Sequence, residues 1–265
     1  MGKLVDGQWS TQLDDTKSTG GKFFRQEASF RNWITADGAV GPTGVGGFKA
    51  ETGRYHLYVS LACPWAHRTL IVRELKGLSN HITVDVVHPD MLETGWSFAM
   101  DGGAAQGDSL FGFKHAYEIY QKAEPNATTR VTVPILWDKY TSSIVSNESS
   151  EIIRMFNSEF DALAINDQDL WPSAMRSDIE EVNERIYHTF NNGVYKSGFA
   201  TSQDAYDESV TKLFDTMDWL EDRLSTNRYL MGDALTEADW RLFTTLVRFD
   251  LVYHPHFKCN RLRVI

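Results

Sequence analysis

Residues 54–70 read RYHLYVSLACPWAHRTL. The run Tyr55-His56-Leu57-Tyr58-Val59 is aromatic and β-branched, which predicts a strand. From Pro64 the pattern turns helical: Leu70, Ile71 and Leu75 line one stripe, and Gly77 suits the C-terminal end. A second strand follows at Ile82–Val87, so residues 55–87 have the size and order of a βαβ unit. Cys63 falls between strand and helix, and Pro64 fits the first helical position, where a missing N–H costs nothing. That places Cys63 at the N-cap, facing backbone N–H groups and the positive end of the helix dipole. A thiolate is favoured there, so this reading makes Cys63 reactive at neutral pH. Ala66 occupies the position where a dithiol oxidoreductase carries its second cysteine, so a mixed disulfide on Cys63 needs an external thiol to resolve it.

Outward from this unit, residues 1–50 are rich in Gly, Ser, Thr and Asp and read as an irregular arm packed over a core. Residues 89–129 are too long for an ordinary loop and read as a functional insertion or as a stretch containing short helices. Strands are expected at Val133–Trp137 and Ser143–Val145, joined by a turn around Asp138-Lys139-Tyr140. A helix is expected from Glu148, with Ile152, Ile153 and Phe156 on one face. Helices fit 173–190, 205–224 and 236–250. The last starts at Thr236, with Asp239 three residues on as a variant capping box. The organisation is therefore an arm over 1–50, an α/β domain over 51–165 and an all-helical domain over 172–265.

The chain has 265 residues, with 26 Lys+Arg against 36 Asp+Glu and a net charge of −10. Its length suffices for a packed core without staples. The acidic balance argues against nucleic-acid and anionic-membrane partners. Cys63 and Cys259 are the only cysteines, too few for an all-cysteine zinc site or a disulfide framework. No run approaches the ~18 apolar residues of a membrane helix, and no signal-peptide core is visible. These features read as a reduced, cytoplasmic protein. Cys259, in a helical region, reads as structural.

Two further motifs bear on chemistry. In Val133-Pro134 the X–Pro bond can be cis, and beside a reactive cysteine it would present the Val133 backbone to a bound peptide. In Ser146-Asn147-Glu148-Ser149-Ser150, Ser149 at a helix start could grip a carboxylate and Glu148 could accept an ammonium group. Plain helix capping fits the same residues equally well.

Taken together, Cys63-Pro64-Trp65 after a strand, Val133-Pro134, Glu148-Ser149 and the Thr236/Asp239 box resemble the cytosolic glutathione transferase fold: a thioredoxin-like α/β domain followed by an all-α domain. The motifs TKSTGGKF (16–23), RYHLYVSLACPWAHRTL, WSF (96–98), RVTVPILWD (130–138), IVSNES (144–149), NNGVYKSGFA (191–200) and TLVRFD (245–250) resemble glutathionyl-hydroquinone reductases, the Xi class. The resemblance spans nearly the whole chain. It implies glutathione as co-substrate with no metal, a glutathionyl-hydroquinone as substrate, and a homodimer. It implies Cys63 as nucleophile and a glutathione site of Trp96, Arg130, Val131, Val133, Glu148 and Ser149. It assigns Tyr195 to proton handling and Tyr253 to the quinol pocket, with Pro134, Thr236 and Asp239 structural. Family members continue past the position of Ile265 with further helices, a third pocket tyrosine and part of the subunit contacts. Two other functions share the fold. One is an omega-like thiol transferase or dehydroascorbate reductase using the same cysteine. The other is a non-catalytic binding module, which has no need of a low-pKa thiol.

Overall fold

The computed structural model describes residues 2–12 and 16–265. Two compact units are defined by internal packing: Met1–Leu13 with Glu27–Gln168, and Asp14–Gln26 with Asp169–Ile265.

The first unit is thioredoxin-like. Strands β1 (Lys3–Val5) and β2 (Gln8–Ser10) open the chain, followed by β3 (Tyr55–Val59), α1 (Pro64–Leu75) and β4 (Thr83–Val86). Then come α2 (Ala116–Ala123), β5 (Thr129–Arg130), β6 (Ile135–Asp138), β7 (Ser143–Ser146) and α3 (Ser149–Arg154). The main sheet has the order β4-β3-β6-β7. β3 and β4 are parallel across the α1 crossover, whereas β6 is antiparallel to both β3 and β7. All five residues of β3 and all four of β6 are buried, as a central pair covered on both faces requires. Each fully buried Leu or Ile in them contributes roughly 1.5–3 kcal/mol.

α1 departs from its expected face. Leu70, Ile71 and Leu75 are only half-buried, and the buried side carries Ala66, Arg68, Thr69, Val72 and Arg73. Cations can enter because acceptors await them: Arg73 donates to the carbonyls of Ile82 (2.7 Å) and Ser79 (2.8 Å). Just beyond the helix, buried Lys76 donates to the Gln168 carbonyl at 3.0 Å. An apolar-stripe reading does not register such paired charges.

One further element differs from expectation, and one open reading is decided. The irregular arm contains the β1–β2 hairpin, and its residues are shared between the two units. The 89–129 stretch contains a short helix, α2, whose capping box uses His115 and Glu118. Histidine is not among the usual N-cap residues, so the start signal is weak.

The second unit is all-helical: α4 (Arg176–Ile186), α5 (Gly193–Gly198), α6 (Gln203–Thr226), α7 (Glu237–Leu246) and the short α8 (His254–His256). Ile179, Val182 and Ile186 line one face of α4 and enter a core with Phe190, Leu213 and Phe249. α5 is unanticipated in the sequence because glycines bound it at both ends. A Cβ at Gly198 would collide with the Phe257 ring, so packing requires that glycine. α7 ends at Leu246, earlier than expected, and gives way to a wider π-type turn over Phe249–Tyr253. No helix among the described residues is long and apolar enough to cross a membrane.

Candidate active site

Cys63 is the N-cap of α1, with extended backbone geometry (φ −84°, ψ 119°) and Pro64 following. Its N–H donates to Ser60 O at 3.1 Å, and its own carbonyl accepts from His67 N at 3.1 Å, the first turn of the helix. The half-buried thiol makes no capping bond to α1. It donates instead to the Val133 carbonyl at 3.5 Å. The Val133–Pro134 bond is cis. The sequence thus brings Cys63 and Val133 together from positions seventy residues apart.

Val133 and Val131 are buried, and Arg130 lies in β5, three residues before Val133. Burial pulls the Arg130 guanidinium below its ordinary value. Glu148 and Ser149 open α3. Glu148 is the N-cap, and its carboxylate accepts from Ser150 N at 2.9 Å and from Ser150 Oγ at 2.8 Å. The capping use of Glu148, one of two readings open in the sequence, is therefore realised. Buried Ser149 accepts from Arg68 Nη1 at 3.5 Å, and the Arg68 guanidinium lies 4.5 Å from the Trp65 ring centroid. Arg68 belongs to the CPWAHR run but was not anticipated in this role, because a helical arginine reads as solvated surface. Trp96 is buried, and its carbonyl accepts from Ala116 N at 2.9 Å.

In the helical unit, Tyr195 from α5 and Tyr253 come together with their hydroxyls 3.3 Å apart and their rings edge to face. Tyr253 is fully buried and Tyr195 half-buried. Arg25 also lies against this pair. Its guanidinium is 4.7 Å from the Tyr195 ring centroid, and its Nε donates to Asn192 Oδ1 at 2.6 Å. No sequence pattern marks Arg25, since it sits in the arm. Cys259 is fully buried, donates to the Phe257 carbonyl at 3.4 Å, and has its thiol pushed up to about 12 by burial. It is a packing residue. Thr236 and Asp239 form the reciprocal capping box of α7.

A thioredoxin-like unit with a lone Cys-Pro helix start, followed by an all-helical unit, narrows the class. Residues 62–159 match the family described as "Glutathione S-transferase, N-terminal domain", and residues 203–264 match "Glutathione S-transferase, C-terminal domain". The chain is 60% identical over 264 residues to glutathionyl-hydroquinone reductase YqjG of Escherichia coli (strain K12), covering 100% of this chain and 80% of that protein. It is 51% identical to glutathionyl-hydroquinone reductase PcpF of Sphingobium chlorophenolicum, covering 100% and 81%. The glutathione-bound structure of YqjG superposes with a TM-score of 0.90 at 56% identity, over 99% of this chain and 79% of that one. A Xi-class transferase structure from Natrialba magadii gives 0.88 at 46% identity, over 99% and 77%. The chain belongs to the glutathione S-transferase family, in its Xi class.

Proposed function

We propose that the protein reduces glutathionyl-hydroquinones to hydroquinones, using glutathione as the electron donor. The observation that carries this reading is the lone thiol of Cys63 at the N-terminus of α1, 3.5 Å from the Val133 carbonyl, with Ala66 where a resolving cysteine would stand. Kinship with two glutathionyl-hydroquinone reductases supports it over a thiol transferase or a binding module.

The Cys63 thiolate attacks the glutathionyl sulfur of the substrate, forming an S–S bond as the aryl C–S bond breaks. Tyr195 serves the proton that the ring carbon takes up, which makes the hydroquinone a leaving group. Proton transfer by a positioned residue contributes roughly 10²–10⁴-fold. Tyr253, whose hydroxyl is 3.3 Å from that of Tyr195, orients it. A second glutathione thiolate then attacks the Cys63 mixed disulfide. Oxidised glutathione leaves and the Cys63 thiolate is restored, so two electrons pass from two glutathionyl sulfurs to the ring. This is covalent catalysis in two half-reactions. Glutathione is held by the Val131 and Val133 backbone, by Arg130 and Trp96, and by Glu148 and Ser149 at the start of α3. No metal enters the scheme. Turnover through a reduced thiol suits the cytoplasm, and a homodimer is the proposed assembly, to be checked by light scattering.

The test is mass spectrometry of products after incubation with a glutathionyl-hydroquinone and excess glutathione. Hydroquinone and oxidised glutathione from wild type, and neither from Cys63→Ala, are expected. A glutathione adduct on Cys63 without hydroquinone release would transfer the assignment to thiol-transferase chemistry.

A further inference from the structure

The β1–β2 hairpin contacts both sides of the proposed glutathione site. Its turn is Asp6-Gly7, both with positive φ (48° and 74°), a two-residue primed hairpin. The tip is docked: Gly7 N donates to Ala127 O at 2.9 Å, and Gln121 Nε2 donates to Gly7 O at 2.7 Å. A Cβ at Gly7 would run into the Pro125 carbonyl. On one side, β1 pairs with β5, placing Lys3 opposite Arg130 and fully buried Leu4 opposite Thr129. The backbone of Arg130 is thus set by the hairpin.

On the other side stands Trp9, from β2. Its indole Nε1 donates to the Glu93 carbonyl at 3.1 Å. Its ring stacks on Tyr117 at 5.1 Å, and Tyr117 stacks in turn on His115 at 5.0 Å. Gly95, with φ +73°, closes the turn that begins at Leu92, and a Cβ there would lie 2.7 Å from the Trp9 ring. Trp96 follows at once, and its carbonyl is bound by Ala116 N, between His115 and Tyr117. Trp9 therefore touches the turn that precedes Trp96 and, through Tyr117, the helix start that receives the Trp96 backbone.

We infer that Trp9 is a positioning residue for glutathione binding: it fixes the turn carrying Trp96 and, through its hairpin, the strand carrying Arg130, so that both are set before the tripeptide arrives. The inference rests on the proposed role of Trp96 and Arg130. A pre-set site avoids an ordering cost on binding.

Calorimetric titration of the whole protein with glutathione tests it. Trp9→Ala is expected to weaken glutathione about tenfold. Gly95→Ala, which pushes the turn off the indole, is expected to do likewise. Trp9→Phe, which keeps a ring on Tyr117 but loses the N–H, should fall between. The loss from Trp9→Ala should shrink in a Trp96→Ala background, because the two act through one contact. The rate of Cys63 alkylation by iodoacetamide, without glutathione, should stay within about twofold of wild type, which a general loss of structure would not allow. Weakened binding in Trp96→Ala and Arg130→Ala, with wild-type affinity in Trp9→Ala and Gly95→Ala, would overturn the inference and leave the site standing. Wild-type affinity in Trp96→Ala and Arg130→Ala would overturn the site assignment itself, and the inference with it.

Discussion

At the start of α7, Asp239 accepts from Thr236 N at 2.9 Å and from Leu230 N at 2.8 Å, and the Thr236 side chain closes the box from the other end. At the start of α1, the N-cap is Cys63, whose side chain makes no capping bond and lies against the Val133 carbonyl. The first helix start is stabilised by its own side chains. The second forgoes about 1 kcal/mol of cap and holds a sulfur at the positive end of a helix. α3 lies between them: Glu148 caps the helix and is also the proposed grip on an ammonium group. Of these three helix starts, α7 is held by a side-chain box, α1 has no side-chain cap, and α3 is capped by a residue that is also a proposed ligand contact.

The contrast is sharpest in activity. Cys63→Ala should lower hydroquinone release by at least about a thousandfold, as loss of a covalent nucleophile does. Cys259→Ala, measured in the same assay, should stay within about threefold of wild type.

Next in size is the difference between the two thiols themselves. With its thiol pushed up to about 12, Cys259 has a thiolate fraction of only about 10⁻⁴ at pH 8. Peptide mapping after brief iodoacetamide treatment should find Cys63 modified and Cys259 intact, and labelling of both would break the contrast. The same burial has a pH signature. The unfolded chain loses the Cys259 proton first, so the contribution of the thiol to stability is whole below about pH 9 and is lost as pH rises toward 12. Urea unfolding at pH 8 and pH 10.5 should show a smaller alkaline loss in Cys259→Ala than in wild type.

Glu148→Gln separates the two roles of α3. The amide oxygen can still accept from Ser150 N, so the melting temperature should move little, while glutathione affinity falls about tenfold with the charge. If melting drops and affinity holds, Glu148 is a cap and nothing more. The smallest effect is Thr236→Ala, expected to cost about 1 kcal/mol in urea unfolding with turnover unchanged.

Much of this was legible in local sequence. β3, α1 and the Cys63 N-cap follow from a strand, a Cys-Pro pair and a helix within seventeen residues. The Thr236 box was legible because capping is settled within four residues. What escaped was decided by distant partners. The buried face of α1 escaped because the acceptors of Arg73 and Lys76 lie in other elements. Arg25 escaped because only the folded arm brings it over Tyr195. The β1–β2 hairpin is a different case. Asp6-Gly7 between Lys3-Leu4-Val5 and Gln8-Trp9-Ser10 is a strong two-residue hairpin signal. Its strands are only three residues each, and the Gly-, Ser-, Thr- and Asp-rich composition of residues 1–50 masks so short a pair.

The segment from Asp14 to Gln26 belongs with the helices, although the residues on both sides of it belong with the sheet. It is tied in by Thr201 N to Gly21 O at 3.0 Å, Ser202 Oγ to Gly20 O at 2.8 Å, and the Lys22–Glu208 ion pair. No single cut in the gene therefore separates the two units. A chimera joined at residue 168 would pair one parent's helices with the other parent's 14–26 segment. Recombination among relatives should accordingly favour exchanges that carry residues 14–26 together with everything after 168.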